Sequence, residues 1–242
     1  MGRNVLVTGA SRGLGASIAK TFAKNGDNII INYNQSFDSA NLLKKELEDK
    51  YNSKVLLIGA DISLENEVKN MINIIREEFN SIDILINNAG IAMDSSLEEK
   101  SADQFMKVIS VNLLGTFLVT KYATTIMNKG LIINISSTNG IDTGYIESID
   151  YDASKAGVIA LTHDFAKYLA PKIRVNCIAP GWINTDMNKN LFDDFKKDEI
   201  QKIGLKKIAN CDDIANVVYF LASNNANYIN DAVIRVDGGY FE

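Results

Sequence analysis

The sequence predicts an α/β fold: a doubly wound parallel sheet between two layers of helices, in one domain. Three observations predict it. Short apolar runs alternate with longer amphipathic segments along the 242 residues, a glycine-rich turn follows the first run directly, and no linker, repeat or low-complexity tract intervenes. Ligands of such a sheet bind at the carboxyl ends of its strands.

The elements follow in order. Asn4-Val5-Leu6-Val7-Thr8 reads as a short buried strand, and a helical pattern over 16–25 follows the glycine turn. Further strands are expected at 28–33, 54–59, 82–86, 131–135, 174–178 and 233–236. Helical spacing occupies roughly 39–51, 64–79, 102–127, 151–169 and 212–222. This βα alternation implies parallel strands covered by helices on both faces. The prolines, Pro171 and Pro180, are only two.

Composition narrows the class. With 46% hydrophobic residues the chain can bury a sizeable core as a single domain over 1–242. No apolar run reaches about 18 residues and no signal-like segment precedes the first strand, so a cytoplasmic protein without a membrane partner is expected. Cys177 and Cys211 lie far apart with no histidine partner spacing, which indicates neither a disulfide framework nor a metal site. A net charge of −5 argues against general nucleic-acid binding.

Two motifs carry chemistry. In Tyr151-Asp152-Ala153-Ser154-Lys155 the phenol and the ammonium are four residues apart, on one face of a helix and within mutual reach. A free phenol titrates near ~10, and a neighbouring cation favours the phenolate, so Lys155 is expected to make Tyr151 a usable acid toward a carbonyl oxygen. By spacing alone, an ordinary helix face fits as well. Gly9-Ala10-Ser11-Arg12-Gly13-Leu14-Gly15 joins the first strand to the first helix. There Gly9 permits the tight turn, Gly13 lets backbone approach a diphosphate, and Gly15 allows close packing of helix on strand. The spacing departs from Gly-x-Gly-x-x-Gly, and its position at the first strand-to-helix junction is what singles it out.

Charge decides between the two nicotinamide cofactors. At the end of the second strand, Ile31-Asn32-Tyr33-Asn34-Gln35 offers no carboxylate for a ribose 2′-hydroxyl. Arg12 can reach a 2′-phosphate with its planar fork, with Asn34 or Ser36 adding hydrogen bonds, so NADPH (NADP) is expected.

Taken together, these residues resemble the short-chain dehydrogenase/reductase family over essentially the whole chain. Thr8 to Gly15 is similar to the family's cofactor loop, and Asn87-Asn88-Ala89-Gly90 to its fourth-strand motif. Asn112 in Val111-Asn112-Leu113-Leu114-Gly115 stands where the family has an active-site asparagine. Ser136-Ser137 precedes Tyr151 and Lys155, and Pro180-Gly181 follows the next strand. The stretch from Val175 to Met187, with the tail from Phe220 to Gly239, looks most like the 3-oxoacyl-[acyl-carrier-protein] reductases of fatty acid biosynthesis. Related sugar, steroid and alcohol dehydrogenases share such tails.

The resemblance implies a Rossmann-like, three-layer αβα domain in which Asn112, Ser137, Tyr151 and Lys155 are catalytic. Tyr151 would donate the proton and Ser137 would hydrogen-bond the same oxygen. Lys155 would lower the Tyr151 pKa and hold the cofactor ribose, and Asn112 would position a water leading from Lys155 to solvent. The cofactor is expected at Gly9, Ser11, Arg12, Gly13, Leu14, Gly15, Asn34, Asp61, Ile62, Asn87, Ala89, Gly90, Tyr151, Lys155, Pro180, Gly181, Ile183 and Thr185. Within that set Asp61 would meet the adenine, Asn87 and Gly90 would line the cleft, and Ile183 with Thr185 would meet the carboxamide.

One departure concerns the active-site serine, which the family places thirteen residues before the tyrosine. Thr138 occupies that position here, and Ser137 is favoured because the run Asn134-Ile135-Ser136-Ser137 matches the family's strand end. The loop from Asp142 to Ser148 faces substrate and carries a bulky Tyr145 and an acidic Glu147.

Other chemistries fit less well. His163, the single histidine, has no nucleophile elbow and is read as structural. Glu98, Glu99 and Asp103, and Asp193, Asp194, Asp198 and Glu199, read as solvated helix faces. Met71, Met106 and Met127 fall on apolar stripes. Segment 186–205 is either a lid over the substrate or a surface helix pair. A homotetramer is implied by the family, and Lys129 and Lys172 are candidates for a patch that receives an acidic acyl carrier protein. Three functions remain open: reduction of a 3-oxoacyl thioester, action on a sugar, polyol or other small ketone or alcohol, and non-catalytic dinucleotide sensing.

Overall fold

The computed structural model describes residues 2–142, 144–185 and 193–241, the side chains of 193–195 excepted. Its strands are β1 (Asn4–Val7), β2 (Asn28–Tyr33), β3 (Val55–Gly59), β4 (Ile84–Asn87), β5 (Gly130–Ile135), β6 (Ile173–Pro180) and β7 (Val233–Val236). They form one sheet in the order β3-β2-β1-β4-β5-β6-β7, every pairing parallel. The helices are α1 (Gly13–Lys24), α2 (Phe37–Tyr51), α3 (Glu65–Phe79), α4 (Ala102–Ile109), α5 (Gly115–Ala123), α6 (Ile149–Leu169), α7 (Asp193–Lys202) and α8 (Cys211–Leu221).

Side chains alternate across a strand, so each central strand feeds two cores. Val5, Val7, Ile29, Ile31, Ile84, Ile86 and Ile133 pack with α1, α2 and α8. Their neighbours Leu6, Ile30, Leu85 and Ile132 pack on the other face with α3, α5 and α6. Apolar residues at successive positions are what a strand buried on both faces needs. The result is the Rossmann-like αβα sandwich that the sequence led us to expect.

The chain runs outward from β1 to β3 and then returns to lay β4 against β1. The strand order reverses there, opening a crevice at the carboxyl ends of β1 and β4. Thr8 ties the two loops together, its Oγ1 accepting hydrogen bonds of 3.0 Å from the amides of both Asn88 and Ala89.

The expected helix over 102–127 is not continuous. It starts at Ala102 behind a Ser101/Gln104 capping box and opens into a π-turn over Ser110–Leu114 before α5 resumes. Asn112 lies in that turn, where its side chain bonds two other segments. A π-turn inside an α-helix is a frequent mark of a functional position. β6 is longer than expected, running on through Pro180. Asp186 and Met187, at the end of the family-like stretch, Thr143 and the segment 186–192 lie outside the described residues, as do the side chains of Asp193 and Asp194.

Candidate active site

The glycine turn is built for backbone approach. Gly9 has φ +62° and Gly13 has φ +57°, a region that L side chains rarely adopt. Among the described residues there is room around Gly13: a Cβ there would meet only the Thr185 methyl and Cβ, at 3.9 and 4.0 Å. Gly15 has none, since a Cβ would lie 2.6 Å from Asn88 Nδ2 and 2.7 Å from the Gly9 carbonyl oxygen. The turn delivers the chain into α1, whose first turn has no acidic side chain and whose Arg12 N-cap makes no capping bond. Unpaired amides and the positive end of the helix dipole favour an anion there. An open glycine face over such an end fits a dinucleotide diphosphate.

The reactive side chains gather at the ends of β5 and β6. Ser137 leaves β5, and its hydroxyl lies near enough to the phenol of Tyr151, the residue after the buried Asp150 in α6, to oppose the rise of its pKa. Of the two hydroxyls that the sequence offered, Ser137 and not Thr138 is the one that acts on the Tyr151 phenol. Its position is fixed by Asn139, which it bonds through the Asn139 amide at 3.2 Å and Oδ1 at 3.1 Å. Lys155 lies one helical turn on, 4% exposed, with Nζ donating to the Ile135 carbonyl at 2.8 Å and standing 5.4 Å from the Tyr151 ring centroid.

The electrostatics correct one expectation. Burial pushes the Tyr151 phenol up to about 12, against a smaller lowering by the Ser137 hydroxyl, with Asp152 and Asp94 adding to the rise. Burial also brings Lys155 down to about 8. The protein by itself therefore does not acidify Tyr151. The ammonium bonds a carbonyl and stands off the ring, while desolvation of the phenolate dominates.

Asn112 serves as a brace. Its Oδ1 accepts from the Ile91 amide at 2.8 Å, and its Nδ2 donates to the Ile91 carbonyl at 2.9 Å and to Ser154 Oγ at 3.0 Å. Ser154 in turn donates to the Tyr151 carbonyl at 2.7 Å. Gly90 closes the same corner, where a Cβ would stand 3.3 Å from Asn112 Oδ1 and 3.4 Å from Lys155 Nζ.

Other expected residues divide between cleft and scaffold. Arg12 and Asn34 are exposed, and Ser36 is half-buried at the start of α2. A carboxylate does reach Asn34: Asp61 Oδ2 accepts from Asn34 Nδ2 at 3.3 Å. Burial raises the Asp61 pKa, but bonds from Ser63 and the charge of Lys107 outweigh it and hold the group below its ordinary value. Ile62 and Leu14 are buried in the two cores. Ile183 forms a bridge with Ala209, Gly181 donates to the Val236 carbonyl at 3.1 Å, and Thr185 stands over Gly13.

Asn87 is a correction. Its side chain does not line the cleft but donates to Thr120 Oγ1 at 2.9 Å and Asn134 Oδ1 at 2.8 Å, within the sheet's interior. Asn134 passes the chain of bonds to Thr162. The expected carboxylate faces also need amendment at Glu199, which is 2% exposed.

Sequence reasoning missed the residues that hold the cradle. Buried Asn32 accepts from the Gly9 amide at 3.3 Å and donates to the Ala60 carbonyl at 3.0 Å, and Asn88 donates to the Thr8 carbonyl at 2.9 Å. A polar residue inside the apolar run Asn28–Tyr33 was the available signal for Asn32.

Residues 9–241 match the family model described as enoyl-(acyl carrier protein) reductase. The chain belongs to the short-chain dehydrogenase/reductase family. It is 41% identical, over all of both chains, to the 3-oxoacyl-[acyl-carrier-protein] reductase FabG of Staphylococcus epidermidis. Among solved structures it matches a short-chain dehydrogenase of Burkholderia cenocepacia in complex with NADP, with TM-score 0.93 and 30% identity over 99% of this chain and 98% of that one. It likewise matches levodione reductase, with TM-score 0.89 and 33% identity over 98% of this chain and 96% of that one. No described helix is long and apolar enough to cross a membrane.

Proposed function

We propose that this short-chain dehydrogenase/reductase is an NADPH-dependent 3-oxoacyl-[acyl-carrier-protein] reductase, turning the 3-keto group of an acyl thioester into a hydroxyl. The observation that carries this reading is the gathering of Ser137, Tyr151 and buried Lys155 in one place, with Lys155 Nζ 5.4 Å from the Tyr151 ring centroid and bonded to the Ile135 carbonyl two residues before Ser137. Full-length similarity to the staphylococcal enzyme supports the thioester over other ketones.

Bound NADPH supplies the hydride that reaches the carbonyl carbon. The chain supplies the rest. A phenol raised to about 12 still holds its proton at pH 7, so Tyr151 can pass it to the carbonyl oxygen as the C=O bond becomes C–OH. Ser137 donates a hydrogen bond to that oxygen while negative charge gathers on it. Lys155, largely charged at pH 7, faces the phenolate as it forms and holds the cofactor ribose. Asn112 positions the route by which the proton is replaced. Gly9, Ser11, Gly13, Leu14 and Gly15 would hold the diphosphate, and Arg12 and Asn34 the 2′-phosphate. Asp61 and Ile62 would meet the adenine, Ala89 and Gly90 the ribose, and Pro180, Gly181, Ile183 and Thr185 the nicotinamide.

A second reading is action on a smaller ketone, sugar or polyol. Tyr145, a bulky ring half-buried beside the catalytic helix, and the likeness to levodione reductase favour it. The test is NADPH oxidation with acetoacetyl-CoA, with a panel of cyclic ketones and sugars, and with a 2-enoyl thioester. Turnover of acetoacetyl-CoA above the others supports the first reading, and preference for a small ketone the second. Reduction of the enoyl thioester alone would place the hydride on C=C, and NADPH binding without turnover of any would make the protein a sensor.

The same reading makes the protein a cytoplasmic homotetramer, and Met106, Leu114 and Phe117 offer exposed apolar surface on the α4–α5 side. Of segment 186–205, the described residues 193–202 form α7, which would stand on the substrate side. Lys129 and Lys172 are exposed neighbours, Gly130 donating to the Lys172 carbonyl, but they stand at the amino ends of β5 and β6, the edge opposite Ser137. Replacing both by Glu should raise KM for the acyl carrier protein substrate and leave that for acetoacetyl-CoA unchanged.

A further inference from the structure

Among the described members of the expected solvated acidic faces, Glu199 is the one whose carboxylate lies inside the protein. It stands on α7, 2% exposed, and donors converge on it from segments far apart in the chain. Trp182 Nε1 donates to its Oε2 at 2.8 Å, and the hydroxyls of Tyr145 and Tyr240 each reach the same oxygen at 2.7 Å. Lys202 Nζ, one turn along α7, pairs with Oε1 at 2.6 Å. The two tyrosine hydroxyls are 3.2 Å apart, and the Tyr145 and Trp182 rings meet edge to face at a centroid distance of 5.8 Å. Burial raises the pKa of Glu199, but the bonds from Lys202, Tyr240, Tyr145 and Trp182 outweigh it, so the carboxylate stays ionised at neutral pH.

The cluster reaches the reactive groups. The Tyr145 amide donates to Asp152 Oδ2 at 3.0 Å, Asn139 Nδ2 donates to Asp152 Oδ1 at 2.6 Å, and Asn139 is the residue that fixes Ser137. Arg235 adds a tie from β7 to the same loop, with Nη1 2.6 Å from Asp142 Oδ2. A single carboxylate thus joins α7, the loop before α6, the segment after β6 and the C-terminal segment. With their polar atoms turned to Glu199, Tyr145 and Trp182 present ring surface, which suits an apolar chain or a flat ketone.

We propose that Glu199 is a positioning residue that sets the substrate-side wall, holding the Tyr145 and Trp182 rings where they select the carbon skeleton of the substrate. This rests on the reductase reading, and it adds a residue that determines specificity without touching the reacting atoms.

Trp182 is the chain's only tryptophan, so the clamp can be read without catalysis. In Glu199→Gln, an isosteric change, Trp182 emission should shift to the red and acrylamide quenching should increase. KM for the preferred substrate of the panel should rise about tenfold, with kcat within about twofold and NADPH affinity unchanged, as loss of ground-state positioning predicts. Tyr240→Phe, which keeps the ring, should move the same quantities in the same direction by less. In the double variant the effects should not add, because both remove one network.

Unchanged Trp182 emission and quenching in Glu199→Gln would overturn the clamp, whatever the wild type reduces. Altered emission with unchanged KM ratios across the panel would overturn its part in selection. A wild type that binds NADPH yet reduces nothing sinks the reductase reading instead, and the fluorescence arm still decides whether the clamp exists. Should Glu199→Gln fail to fold, Tyr240→Phe carries the same test.

Discussion

The two sides of the cleft are built by different means. On the cofactor side the shape is made by backbone: two positive-φ glycines, an uncapped helix end, and neighbouring loops tied by Thr8, Asn32 and Asn88. On the side proposed for the substrate it is made by side chains from four separate segments that meet at Glu199. Between them, Ser137, Tyr151 and Lys155 belong to both. A backbone-shaped site tolerates little change in sequence but accepts one kind of ligand, whereas a side-chain wall can be re-cut residue by residue.

The largest expected effect tests the shared centre. Tyr151→Phe removes the transferable proton while leaving the ring that packs against Lys155. Turnover should fall by about 10²–10⁴-fold, the usual weight of a positioned acid. NADPH affinity, measured by fluorescence titration, should stay within a few-fold. Undiminished turnover would remove Tyr151 from the chemistry and leave Ser137 as the remaining hydroxyl.

Next comes the cradle. Gly15→Ala drives a methyl to within 2.6 Å of Asn88 Nδ2 and 2.7 Å of the Gly9 carbonyl oxygen. Overpacking of this kind costs about 1–3 kcal/mol, and here it also displaces the turn that would hold the diphosphate. Denaturant midpoint and NADPH affinity should therefore fall together. Should they separate, with stability lost and affinity kept, the turn is not what recognises the cofactor.

These two sides were not equally legible in the sequence. Strand and helix positions came through because buried parallel strands must be apolar on both faces, as Ile29, Ile30 and Ile31 are. The glycine turn came through because φ +57° at Gly13 demands a particular residue type at a particular place. Ser137 was legible only in part, since Thr138 and not Ser137 stands at the family's spacing from Tyr151. Glu199 was misread as solvated because its helix is otherwise polar and its partners lie 17, 41 and 54 residues away. Asn87 was misread because sequence shows that an asparagine ends a strand but not which way its amide turns. Local rules fix the backbone; which distant side chains meet depends on the assembled fold.

Lys155 gives a smaller effect with a definite sign. Its folded-state pKa of about 8 lies below the ordinary 10.5, so between those values the unfolded chain binds more protons and stability rises with pH. Burying the ammonium is thus a cost at pH 7 that fades above about pH 8. Cys177 and Tyr151 act oppositely, but only above their ordinary values of 9.0 and 10.0. Between pH 8 and 9 the wild type should gain roughly 1 kcal/mol relative to Lys155→Met, since one pKa unit is worth about 1.4 kcal/mol. Denaturant curves at pH 7, 8 and 9 read this directly, and parallel curves for the two proteins would show that the ammonium is solvated.

The smallest effect concerns the rim of the cradle, where the charges are exposed. Arg12→Ala removes the one guanidinium at the N-cap of α1, and a single exposed charge pairing with a phosphate is weakened by solvent and salt. NADPH affinity should drop by about tenfold at low ionic strength and by less at high salt, with NADH affinity unaltered. Asn34→Asp should act in the same direction from the other side of the site, because it sets a second carboxylate beside Asp61, which Asn34 now contacts at 3.3 Å. Two carboxylates there would repel a 2′-phosphate and could accept from a 2′-hydroxyl, moving preference toward NADH. Equal losses for both cofactors would mean that Arg12 and Asn34 support the turn rather than read the phosphate, and the ratio of the two affinities distinguishes those roles even where each change is slight.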